Sequence, residues 1–78
     1  MIRVGDRVKV VRLDKYLTDL MANDVMHGHI VDQSPLGRVG VVTDVYYNPA
    51  MHRTEAVVLS EGSSWIFEPW CLMKTALQ

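Results

Sequence analysis

Gly37-Arg38-Val39-Gly40-Val41-Val42-Thr43-Asp44-Val45-Tyr46-Tyr47-Asn48-Pro49 is the stretch on which the fold turns. It is rich in β-branched and aromatic residues, which pack well on a pleated surface, so residues 38–47 read as the strongest strand of the chain. In extended backbone Val39, Val41, Val45 and Tyr47 fall on one face, and Arg38, Val42, Asp44 and Tyr46 on the other. Gly40 interrupts the run of side chains, which predicts a bulge, a bend or the close approach of another backbone. Asn48-Pro49 ends the strand, because proline has no amide to donate to a ladder.

Working outward, residues 7–13 alternate Val8 and Val10 with Arg7, Lys9 and Val11, the period of a half-buried strand, behind a Gly5-Asp6 turn. Downstream, residues 54–59 predict a third strand, Glu61-Gly62-Ser63 a turn, and residues 65–68 a fourth strand stopped by Pro69. Trp70-Cys71-Leu72-Met73 reads as a tight turn into a brief closing strand. The irregular part is residues 14–36, an elaborated first loop. In it Tyr16, Leu17, Leu20 and Met21 follow helical spacing, which predicts a short helix over residues 15–22 with Asp14 as N-cap; residues 23–35 read as loop. A helix this short needs the body of the domain to dock on.

The chain has 78 residues, enough for one domain, residues 1–78, and too few for two. A domain of this size buries only about 60% of the surface of its unfolded chain, which leaves little room for a deep catalytic pocket. With 49% hydrophobic and 22% charged residues and a net charge of −1, it is neither disordered nor a strongly basic nucleic-acid binder. Charge is nevertheless uneven: Arg3, Arg7, Lys9 and Arg12 face only Asp6 in residues 1–13, whereas residues 14–36 hold Asp14, Asp19, Asp24 and Asp32 against Lys15. Cys71 stands alone, so there is no disulfide framework, and the setting expected is reducing and cytoplasmic. Strand-like sequence from the first residues leaves no room for a signal peptide, and no apolar run approaches the roughly 20 residues that span a bilayer, so no membrane role is expected.

Val4-Gly5-Asp6-Arg7-Val8-Lys9-Val10 resembles the opening strand of bacterial SH3-like domains. Gly37-Arg38-Val39-Gly40-Val41-Val42-Thr43-Asp44-Val45 is similar to the core of a KOW motif and to the matching strand of mind-bomb-type repeats. Residues 57–65, with Phe67-Glu68-Pro69-Trp70-Cys71-Leu72, resemble the last hairpin and closing turn of such barrels. The resemblance covers most of the chain outside residues 14–36 and implies a mostly β, five-stranded SH3-like barrel with a long first loop holding a short helix. That superfamily spans accessory subunits of electron-transfer complexes, nitrile hydratase β-subunit domains and ribosomal KOW proteins, so fold alone does not carry function.

Catalysis finds no footing. There is no phosphate loop, no paired-carboxylate spacing and no Ser/His/Asp order, and Gly37-x-x-Gly40 lacks the third glycine and the helix of a dinucleotide site. Asp24, His27, His29, Asp32, His52 and Cys71 are the conceivable metal ligands, but the His-x-His pair sits in a loop and the others are scattered, so they read as solvated polar residues and no metal or cofactor is expected. Cys71, between Trp70 and Leu72, reads as a buried, inert thiol.

The expected function is that of a non-catalytic accessory or adaptor domain with a protein partner and no small-molecule substrate. Tyr16, Leu20, Met21, Tyr46 and Trp70 are the candidate contacts, Trp70 being the aromatic expected to stay partly exposed. The alternative is a KOW-like module bound to RNA or the ribosome through Arg3, Arg7, Lys9, Arg12 and Arg38.

Overall fold

In the computed structural model, which describes residues 1–14 and 35–75, the valine-rich stretch forms the central strand. In chain order the strands are β1 (Arg7–Val10), β2 (Val39–Asn48), β3 (Arg53–Ser60), β4 (Ser63–Phe67) and β5 (Leu72–Lys74), with a 3-10 turn, Pro69–Cys71, before the last. All pairings are antiparallel, in the order β4-β3-β2-β1-β5. No ladder joins the edge strands β4 and β5, so the architecture is a mostly β, five-stranded antiparallel sheet. The helix expected over residues 15–22 lies outside the described residues. Among those described, the 3-10 turn is the sole helical segment, and no helix is long and apolar enough to cross a membrane.

Strand identities follow the sequence, while boundaries shift where hydrogen bonds decide them. The first strand stops at Val10 rather than residue 13, because the amides of Val11 and Arg12 both donate to one carbonyl, that of Cys71, at 2.9 and 3.2 Å. Between β3 and β4 the loop is two residues long. Glu61 (φ 52°) and Gly62 (φ 82°) both have positive φ, the backbone of a type I′ hairpin turn that matches the twist of its strands.

The irregularity in β2 lies at Thr43. The ladder with β3 is regular through Val42↔Val58, then resumes at Asp44↔Val57, which leaves Thr43 as the extra residue of a bulge. Gly40 is paired regularly with Val8 and serves instead the close approach: a Cβ there would lie 2.4 Å from the Leu59 carbonyl oxygen and 2.8 Å from Cγ1 of Val58.

Val42 faces inward before the bulge, and Val45 packs against the core after it. The buried core is Val8 and Val10 of β1, Val42 of β2, Ala56 and Val58 of β3, Phe67 of β4, Cys71 and Leu72. Ile2, Leu13, Val45 and Trp65 pack on its margin.

Candidate functional site

With one face of the sheet given to the core, the cross-strand register assigns the residues of the other. Arg7 lies opposite Val41, and Val41 opposite Leu59; Lys9 lies opposite both Val39 and Met73. Directly opposed residues share a face, so Met73, Lys9 and Val39 form one row and Arg7, Val41 and Leu59 the next. Val39, Val41, Leu59 and Met73 are 40, 38, 44 and 54% exposed, large values for aliphatic side chains gathered on one surface. Ile66, opposite Val57, continues this apolar stripe toward β4.

Beyond the stripe, the same face deepens into a cleft of about 340 Å³ lined by Tyr46, Asn48, Met51, Arg53, Glu55 and Ile66. Its floor is ionic. Arg53 and Glu55, two apart on β3, share a face, and Arg53 Nε donates to Glu55 Oε2 at 2.8 Å while Arg53 Nη1 reaches Asp14 Oδ2 at 3.2 Å. Asn48 Nδ2 donates to Glu55 Oε1 at 3.1 Å, and the Tyr46 hydroxyl lies close enough to the Glu55 carboxylate for each to influence the other's charge. Both carboxylates are buried, Asp14 to 2% exposure.

Burial alone would push the Glu55 carboxyl up, but its bonds from Arg53, Asn48 and Tyr46 outweigh that and hold it below the usual carboxylate range. Burial likewise opposes the Arg53 charge, and Glu55 and Asp14 together raise its pKa in spite of it. The Tyr46 phenol is raised, first by its bond to the Glu55 carboxylate, then by desolvation and the nearby negative charges.

The candidates read from sequence fall in separate places. Tyr16, Leu20 and Met21 lie outside the described residues. Tyr46 lines the cleft, whereas Trp70, 51% exposed on the 3-10 turn, does not. The Trp70 indole donates to Glu68, and its carbonyl accepts from Arg12 Nη1 at 2.9 Å. The five basic candidates differ in their surroundings. Arg38 is held by Glu61 at 2.6 Å and Arg12 by that carbonyl, while Arg3 is exposed near the N-terminus and Arg7 and Lys9 stand among valines.

Of the conceivable metal ligands, Asp24, His27, His29 and Asp32 lie outside the described residues, His52 is exposed on the β2–β3 turn, and Cys71 is in the core. Among the described residues no three His, Cys, Asp or Glu converge. Burial, reinforced by the charges of Asp14 and Glu68, pushes the Cys71 thiol up to about 11, so it is held as the neutral, unreactive form.

Sequence reading missed the Asp14–Arg53–Glu55 network and the outer stripe. Arg53-Thr54-Glu55 carried half of the first, since opposite charges two apart in a strand meet on one face. Comparison with protein-family models, curated proteins and solved structures finds no match to this chain.

Proposed function

We propose that this chain is a non-catalytic docking domain of the SH3-like barrel type, which seats on a larger protein through the outer face of its sheet. The observation that carries the reading is the exposed aliphatic stripe, Val39, Val41, Leu59, Met73 and Ile66, gathered on one face of the sheet. Aliphatic side chains gathered on one exposed sheet face are a common feature of a partner-binding surface. Support for the barrel comes from the strand order β4-β3-β2-β1-β5, the long connection from β1 to β2 and the 3-10 turn that feeds β5. Its lone buried thiol goes with a reducing, cytoplasmic setting.

Gel filtration of extracts from its source cell tests the reading. The native chain is expected to elute in an assembly well above its own 8.9 kDa. A Val41→Thr/Leu59→Thr variant, which keeps strand-compatible side chains but places two hydroxyls in the middle of the apolar stripe, is expected to elute free. Elution of the native chain as a free monomer overturns the docking role.

A further inference from the structure

The stripe is not purely apolar, and its charges say what covers it. Lys9 stands between Val39 and Met73, and Arg7 beside Val41, both pointing away from the core. The other cations of the described residues near this face have protein partners: Arg38 has Glu61, Lys74 has Asp6, Arg53 has Asp14 and Glu55, and Arg12 has a carbonyl. Arg7 and Lys9 make no ion pair among the described residues. Exposed cations set in register beside aliphatic residues on one face call for a covering surface that offers carboxylates and apolar side chains together.

Backbone pairing limits the shape of that surface. β1 is bonded to β2 on one side and to β5 on the other, so a partner strand has no free edge there to join. A segment lying on the face must satisfy its own amides and carbonyls, and helices covering sheet faces are the common solution. Arg7 and Lys9 are two residues apart on one strand, roughly 6.5–7 Å along it. Carboxylates at i and i+4 of a helix are separated by about 6 Å of rise, a close match.

Building on the docking role, we infer that the partner presents an amphipathic helix carrying Glu or Asp at i,i+4 beside a row of aliphatic side chains. RNA is the poorer fit, because the neighbours of Arg7 and Lys9 are Val39, Val41 and Met73 and offer no ring on which a base could stack.

The test uses synthetic probes on the whole chain: a helical peptide with Leu flanked by Glu at i,i+4, the same peptide with Lys for Glu, one with Ser for Leu, and a mixed-sequence RNA oligomer. The Glu–Leu peptide is expected to bind at least tenfold more tightly than the other three and to shift the methyl resonances of Val39, Val41, Leu59 and Met73. Arg7→Glu/Lys9→Glu is expected to reverse the preference toward the Lys–Leu peptide. Arg7→Gln/Lys9→Gln, which adds no repulsion between strands, is expected to abolish the preference with the fold intact by circular dichroism. Equal binding of the Lys–Leu peptide, tighter binding of RNA, or a concentration-dependent dimer that protects those methyls each overturns the inference. So does binding that shifts Met51 and Ile66 instead, or silence of every probe. In those cases the docking role stands or falls separately, on the gel-filtration result.

Discussion

Gly40 shows how one residue can be fixed by its neighbour's backbone rather than by its own conformation. The β2 and β3 backbones approach so closely that a single added methyl would meet the Leu59 carbonyl at 2.4 Å, well inside any real contact. Neither partner is a flexible side-chain tip: one is a carbonyl and the other a fully buried valine, Val58. Gly40→Ala should therefore destabilise the domain by about 1–3 kcal/mol, toward the upper end of overpacking costs. A denaturant titration checks this, and a midpoint unchanged from wild type would contradict the packing described. Gly40 was legible as a special position from the sequence alone. Which of three reasons made it special was not, because that depends on a strand nearly twenty positions downstream.

At the scale of elements, the Asp14–Arg53–Glu55 network ties the chain just after β1 to the start of β3, 39 residues apart. One guanidinium serves two buried carboxylates, so removing it takes an ion-pair partner from both. Arg53→Ala should cost about 3–5 kcal/mol, the range for breaking a buried pair from one side. The acid dependence follows from Glu55. Its folded-state pKa lies below the ordinary 4.5, so the folded protein binds that proton less readily than the unfolded chain. Stability from this group is therefore fully present above about pH 4.5 and is lost as pH falls through the lower, folded-state value. Glu55→Gln should be less stable than wild type at pH 7, and the gap should narrow toward pH 3. Melting curves at both pH values check the sign; a gap that widened in acid would exclude this role for Glu55. Opposite charges two apart made the Arg53/Glu55 pair available in the sequence although it was missed, whereas the partnership with Asp14 is made by the fold.

For the molecule as a whole, the two faces of the sheet should respond oppositely to substitution. Among the described residues Phe67 is the largest fully buried side chain, and it belongs to a small core. Domains of this size hold together by only about 4–12 kcal/mol, and Phe67→Ala costs roughly 3–5 kcal/mol, so the variant should be partly or wholly unfolded at 37 °C. Val41→Thr/Leu59→Thr, on the outer face, should change stability by about 0.5 kcal/mol or less per site. Calorimetry of the two variants side by side tests whether the stripe is dispensable to the fold. A loss of melting temperature in the outer-face variant comparable to that of Phe67→Ala would show that those residues hold the domain together rather than serve a partner.

Local sequence determined the strands, the turns between them and the inert setting of Cys71, because alternation, β-branching and proline or glycine punctuation act over a few residues and need no distant partner. The same alternation grouped Val39 and Val41 with Val45. Tertiary structure separated them: the bulge at Thr43 shifts the pleat by one, so that Val45 packs on the core while Val39 and Val41 are left facing out. A bulge is a count of residues on one strand against those on its neighbour, so β2 cannot declare it without β3. The uncovered stripe, the cations set within it and the buried Asp14–Arg53 pair all come from such long-range pairing. For that reason the chain's composition announced a small β domain, and only the assembled sheet revealed which of its surfaces is left uncovered.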